Sequence, residues 1–204
     1  MPIASLSRRD PQKTGNGFSN KLGFTVIELM VAVAVIAIIT SLAFPSYRAM
    51  IEKRQVTSGA EQVAAFLSAV QIESVMRNEN MTVSYHHNSG DAADWCVGLT
   101  AGATPCDCTE TDASASDYCA VDAVPRLLVA SDLTYPGVMD SITGNDSFTF
   151  DPVRGVLLDP SDVVEMELLS TGGNFALNVE VGPTGRVRIC SDSSNKKVPG
   201  YDLC

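Results

Sequence analysis

The sequence predicts an α+β fold: a long N-terminal helix, membrane-spanning in its first half and amphipathic in its second, packed against a small antiparallel β-sheet domain. Three observations carry that expectation. Residues 24–44 form an apolar run long enough to cross a bilayer. Val56, Ala60, Val63, Leu67 and Val70 recur at spacings of three and four, the period of a helix with one buried stripe. Two later stretches alternate apolar and polar residues on either side of turn sequences.

Residues 1–23 read as a polar, basic leader without apolar periodicity. They hold Arg8, Arg9, Lys13 and Lys21 against Asp10, a net of +3, so the chain from Phe24 onward carries −13 of the total of −10. A basic head, an apolar run and an acidic body orient a protein across a membrane with the head in the cytoplasm and the body exported. The pair Arg8-Arg9 does not make a twin-arginine signal, because Asp10-Pro11 stands where such signals are apolar.

From Phe24 to Phe44 only Thr25, Glu28, Thr40 and Ser41 interrupt the apolar run. As a helix it is about 30 Å long at ~1.5 Å per residue. A competing reading is an ordinary secretory signal peptide cut after Ser41-Leu42-Ala43, which would release a ligand-binding domain beginning at Phe44. The long leader and the glutamate inside the run count against it.

Past Pro45 the apolar stripe, widened by Phe66, continues the helix through residues 45–80, with a kink or local melting expected at the proline. Residues 81–204 form the β-rich domain. Its first part, to about Pro136, reads as loop, with Gly, Asp, Ser, Thr and four cysteines. Strands are expected at Ser147-Phe148-Thr149-Phe150 and its return Val156-Leu157-Leu158, about the turn Asp151-Pro152-Val153-Arg154-Gly155. A second hairpin sets Phe175, Leu177, Val179 and Val181 against Val187 and Ile189 about Gly182-Pro183-Thr184-Gly185.

All six cysteines, Cys96, Cys106, Cys108, Cys119, Cys190 and Cys204, lie beyond the apolar run. In an exported domain an even set reads as disulfides. Cys106 and Cys108, one residue apart, are not expected to bond each other. A zinc site from the four central cysteines lacks a Cys-x2-Cys pair, so no metal is expected there. His86-His87 with Asp91 and Asp94 has no spacing that would align ligands. The serines lack a Gly-x-Ser-x-Gly elbow and there is no phosphate loop, so neither a cofactor nor an enzyme is expected.

The stretch Lys21-Leu22-Gly23-Phe24-Thr25-Val26-Ile27-Glu28-Leu29, followed by the apolar run and Pro45, closely resembles the class III signal of type IV pilins and type II secretion pseudopilins. Trp95-Cys96-Val97-Gly98-Leu99, Cys106-Asp107-Cys108, Phe150-Asp151-Pro152-Val153-Arg154-Gly155, Gly185-Arg186-Val187-Arg188-Ile189-Cys190-Ser191 and the terminal Val198-Pro199-Gly200-Tyr201-Asp202-Leu203-Cys204 resemble minor pilins of the GspH/FimT type. The acidic insertion around residues 106–122 departs from shorter members. The resemblance implies a structural subunit that helps initiate or cap a pilus, with a GspH-like pseudopilin of type II secretion as the alternative. It implies cleavage by a prepilin peptidase between Gly23 and Phe24 and N-methylation of Phe24. It also implies other pilin subunits, an inner-membrane assembly platform and the membrane as partners. The chain is then a single-pass inner-membrane protein with its globular domain in the periplasm, before entering a pilus or pseudopilus.

Glu28 falls at the fifth position after the implied cleavage. A charged carboxylate within lipid costs about 2.5–3.5 kcal/mol on insertion scales. The resemblance gives that cost a purpose, since the glutamate is expected to face the N-terminal amine of a neighbouring subunit. Cys190 and Cys204 are expected to close a terminal loop. Arg186 and Arg188 share a strand face, and with Lys196 and Lys197 form the basic concentration of an acidic body, a candidate for DNA contact in uptake, beside roles in twitching or adhesion. The competing reading is a solvated hairpin whose arginines pair with Asp192, Asp202 or Glu180, and the acidic net charge favours it. N-terminal sequencing of the exported chain should give methylated Phe24; a start at Phe44 would select the secretory signal peptide.

Overall fold

The computed structural model describes residues 23–88, 94–135, 137–192 and 196–204. The expected leader up to Leu22 and Asp91 of the histidine cluster lie outside them. The chain divides into two units, Met1–Ala43 and Phe44–Cys204.

Helix α1 runs Val26–Arg77 and includes Pro45, so the backbone is helical through the proline and not melted there. It ends on a Schellman motif. Asn78 turns left-handed at φ 53°, its N–H donates to the Val75 carbonyl (3.3 Å), and the Glu79 N–H donates to the Ser74 carbonyl (3.2 Å). In its second half the stripe Val56, Ala60, Val63, Leu67 and Val70 is fully buried, and Ser74 continues it.

Ten strands follow. They are β1 (Met81–His87), β2 (Trp95–Ala101), β3 (Ala120–Val121), β4 (Val124–Pro125), β5 (Leu127–Val129), β6 (Val138–Thr143), β7 (Ser147–Phe150), β8 (Val164–Leu169), β9 (Ala176–Val181) and β10 (Val187–Ser191). They form two four-stranded antiparallel sheets, ordered β5-β2-β1-β7 and β10-β9-β8-β6, with β3-β4 as a small separate ribbon. The first sheet contributes Met81, Val83, Val97, Leu99, Phe148 and Phe150 to the core. The second contributes Val164, Met166, Leu168, Leu177, Val179 and Val181, and both join the helix stripe in one hydrophobic cluster. Phe148 and Phe150 meet edge-on at 5.4 Å between centroids.

The hairpin about Gly182-Pro183-Thr184-Gly185 forms as β9 and β10, with Val181 opposite Val187 and Val179 opposite Ile189. The other expected hairpin is reduced. Past β7 the returning residues make a single bridge, Leu157 to Phe150. The expected loop between residues 81 and 136 is wrong in an instructive way, because β1, β2 and β5 lie there. Met81, Thr82, Val83 and Ser84 are consecutively buried, as are Trp95, Cys96, Val97, Gly98 and Leu99. One face of these strands meets the core and the other is covered by residues 106–119. The Cys106 N–H donates to Ser84 Oγ (3.1 Å), and a Cβ on Gly98 would stand 2.3 Å from Cys119 Sγ. A strand covered on both faces loses the alternation that marks a half-exposed one.

Gly185 locks the second sheet to the helix. It sits at φ +74° with a would-be Cβ 2.1 Å from the Gly155 carbonyl oxygen, which accepts a hydrogen bond from Gln71 Nε2 (2.6 Å). Leu67→Ala should lower unfolding free energy by about 2–5 kcal/mol in denaturant titrations, the range for emptying a well-packed core site. Ala65→Ser, on the exposed side of the same helix, should stay within about 0.5 kcal/mol of the parent.

Candidate assembly interface

The helix starts with an N-cap. Thr25 is the N-cap: its Oγ1 accepts from the Glu28 N–H (3.3 Å) and its carbonyl from the Leu29 N–H (3.1 Å). Thr25-Val26-Ile27-Glu28 is thus the T-x-x-E pattern, and Glu28 stands in the first turn, where the helix dipole favours a carboxylate. Sequence reasoning read Glu28 only through assembly; the signal for this second role was Thr25, three residues earlier.

Behind that cap the helix is apolar on every side. Phe24 is 82% exposed, and Val26, Ile27, Leu29, Met30, Ile36, Ile38 and Ile39 are all exposed. The hydroxyls in the run do not break it. Thr40 Oγ1 donates to the Ile36 carbonyl (2.9 Å) and Ser41 Oγ to the Ile38 carbonyl (2.8 Å), so both are satisfied within the helix. A helix apolar all round belongs in lipid or among other apolar helices, and by length and composition this one is able to cross a membrane. A Cβ on Gly23 would meet no atom within 4 Å, so the described fold places no steric demand for glycine there.

The disulfides join Cys96 to Cys108, Cys106 to Cys119, and Cys190 to Cys204. The first two staple the acidic insertion over the outer face of the first sheet. They also consume all four sulfurs of the zinc arrangement weighed above, and no cysteine is free. His86 and His87 are adjacent in β1, so their side chains leave opposite faces, while Asp94 accepts from Asn88 Nδ2 (2.9 Å). The third disulfide folds the C-terminus back along β10. Ser191 N–H donates to the Asp202 carbonyl (2.7 Å), Cys204 N–H to the Ser191 carbonyl (3.2 Å), and Tyr201 Oη donates to Glu61 (3.0 Å). Burial, and after it the Glu61 carboxylate, raises the Tyr201 pKa above the ordinary phenol value.

The four basic residues of the terminal hairpin and loop do not form one patch. Arg188 Nε donates to Glu180 (2.5 Å), the pairing of the solvated-hairpin reading. Arg186 is exposed next to Gly185, which rests against Gln71. Lys196 and Lys197 precede Val198, which borders the Thr57 to Glu61 stretch of α1. Ten residues of helix, about 15 Å, separate Gln71 from Glu61.

Residues 59–198 match the family described as type II transport protein GspH. The chain belongs to the GspH family. Residues 18–44 of this GspH-family chain match the prokaryotic N-terminal methylation motif. A fimbrial protein of Pseudomonas aeruginosa is 41% identical over 49 residues, 24% of this chain and 32% of that protein. A type IV major alpha-pilin of Moraxella bovis is 44% identical over 48 residues, 24% of this chain and 30% of that one. The chain therefore spans about a third of the length of these curated relatives. Two crystal structures of the Pseudomonas aeruginosa type IV minor pilin FimU align with TM-scores of 0.45 and 0.42 at 16% identity. They cover 74% and 71% of this chain and 98% of theirs.

Replacing Cys190 and Cys204 together by serine should lower stability by up to about 3 kcal/mol, the chain-entropy value for a loop of roughly 15 residues. Hydrogen exchange should show the loss concentrated at the terminal loop and the tip of β10, with the first sheet unchanged.

Proposed function

We propose that this chain is a minor type IV pilin, a structural subunit and not an enzyme, which helps initiate or cap pilus assembly. The observation that carries this reading is an all-apolar exposed helix entered by one carboxylate, Glu28, five residues past a glycine without steric need. A prepilin peptidase would cut between Gly23 and Phe24 and methylate Phe24. The match of residues 18–44 to the methylation motif supports that site over cleavage after Ala43. Before assembly the subunit is anchored by one span in the inner membrane with its domain in the periplasm, where it meets the assembly platform. In the fibre the helix exchanges lipid for neighbouring helices.

Glu28 then neutralises the amine of an adjacent subunit and sets register, while apolar contact supplies most of the association. The N-cap at Thr25 allows the charge to be tested apart from the helix start. Glu28→Gln keeps an N3 residue compatible with that cap and removes only the charge. Membrane-fraction levels should be unchanged, while incorporation into sheared fibres falls at least about tenfold, the effect of roughly 1.4 kcal/mol. Thr25→Ala removes the cap and keeps the charge, and should assemble near normally. Normal incorporation of Glu28→Gln would overturn the pairing.

A second reading is favoured by the family match over residues 59–198: a GspH-like pseudopilin of a type II secretion system. Deletion of the gene separates the two, since loss of surface pili or of twitching selects the first and retention of secreted proteins in the periplasm selects the second. A role of Arg186, Arg188, Lys196 and Lys197 in DNA contact draws less support, because Arg188 is already held by Glu180.

A further inference from the structure

Four arginines of the unit Phe44–Cys204, toward the C-terminal end of α1 and along the sheets, are paired. Arg77 is held by Glu73 (2.8 Å) and Asp122, Arg126 by Glu73 (3.3 Å), Arg154 by Asp151 (3.9 Å) and Arg188 by Glu180. At the start of the unit, Arg48, Lys53 and Arg54 have no carboxylate within ion-pair distance among the described residues. The nearby acids are engaged elsewhere: Glu52 accepts from Ser170 Oγ and Asn174 Nδ2, and Glu61 from Tyr201. Arg48 and Lys53 lie over aromatic rings instead, Arg48 at 4.8 Å from the Phe44 centroid and Lys53 at 5.1 Å from that of Phe175. Arg54 is exposed.

Beside these cations a groove of about 670 Å³ runs between α1 and two loops, with Met50 and Pro199 giving apolar surface and Thr57 and Ser58 giving hydroxyls. Lys197, exposed, stands one residue before Val198 in its wall. Within the unit, Arg48 is about 6 Å of helix past Phe44 and Arg54 about 15 Å. The headgroup layer on one side of a bilayer is about 5–7 Å thick. Side chains on a helix lean toward its N-terminus, so the long Lys53 and Arg54 side chains reach back toward that layer. Exposed Tyr47 (64%) is of the amphipathic aromatic type that settles at the same depth.

We propose that Arg48, Lys53 and Arg54, with the groove they border, form a collar that binds the phosphodiester headgroups of anionic phospholipids. The inference rests on the reading of residues 24–43 as membrane-spanning. The collar solves a problem set by the charge of the chain, which carries −10 overall. An anionic surface repels such a body, and unpaired cations at the lipid end turn it so that the acidic insertion, whose Asp122 neighbours Arg77, points away. It also gives the subunit a holding contact in the bilayer that must be released when it enters a fibre.

The test uses the full processed chain in nanodiscs containing phosphatidylglycerol and phosphatidylcholine in equal amounts, with retained lipids counted by native mass spectrometry. Phosphatidylglycerol should be enriched over its bulk share, and the enrichment should fall in high salt. Arg48→Gln with Arg54→Gln, both exposed and outside the core, should lower it by about fivefold per cation removed, while Arg186→Gln leaves it unchanged. Alkaline extraction of the same chain from membranes tests the spanning segment separately, and a chain that washes off fails that underlying reading. A chain that stays inserted yet retains the two lipids in their bulk ratio, or a double variant equal to the parent, overturns the collar. Cross-links from Lys53 to acidic residues of a second copy, with unchanged lipid ratio, would assign the groove to protein instead.

Discussion

Both sheets close on the face of α1 made by Val56, Ala60, Val63, Leu67 and Val70. Each sheet turns one apolar face to the helix, and both join the stripe in one cluster. Burial of a Val or Leu side chain is worth about 1.5–3 kcal/mol, so the four of them along one helix, with Ala60 between, dominate the association of the layers. Smaller devices then fix the placement along the helix. Gln71 reaches the Gly155 carbonyl, Glu52 holds the Ser170 to Asn174 turn, and Tyr201 ties the terminal loop to Glu61. Each acts at one point, and none would hold without the stripe beneath it.

The same helix changes its chemistry on passing Phe44. Before it, apolar side chains point in every direction; after it, a stripe from Val56 to Val70 is buried while charged and polar residues join exposed apolar ones such as Met50, Ile72 and Met76 on the rest of the helix. The first arrangement suits a medium without water and the second suits a protein core beside water. Glu28 at one end and the Arg48 to Arg54 cations at the other bracket the apolar run. The glutamate gains from the helix dipole, and Arg48 and Lys53 gain from aromatic faces. Local stabilisation at both ends is what lets a chain keep charges so close to an apolar segment.

The acidic insertion shows how a small domain covers a sheet without a second helix. Residues 106–119 carry too little apolar surface to stay on β1 and β2 by burial alone, and two disulfides hold them there. The close approach requires Gly98, since any side chain would collide with Cys119. Asp107 and Asp112 turn the loop by accepting from Thr109 and Ser114, hydrogen bonds that hold both carboxyls below the usual aspartate range. Both groups are exposed, so their charge is available to solvent and their effect is on loop shape.

Linear order alone determined the features that depend on neighbours in the chain. The apolar run, the 3–4 spacing of the buried stripe, the β9–β10 hairpin and the T-x-x-E start are all written within a few residues of each other, because helix and hairpin contacts are local. Tertiary structure decided what depends on residues far apart. Strands β1 and β2 were hidden because disulfide-bound chain covers the face that would otherwise have shown polar alternation. The pairing of the four central cysteines followed from the register of β2 beneath that cover, which no spacing encodes. The four basic residues near the C-terminus, close in sequence, were separated by the geometry of the hairpin against α1. Arg48, Lys53 and Arg54 were left without ion pairs among the described residues, because the carboxylates Glu52 and Glu61 beside them were drawn to partners more than a hundred residues away.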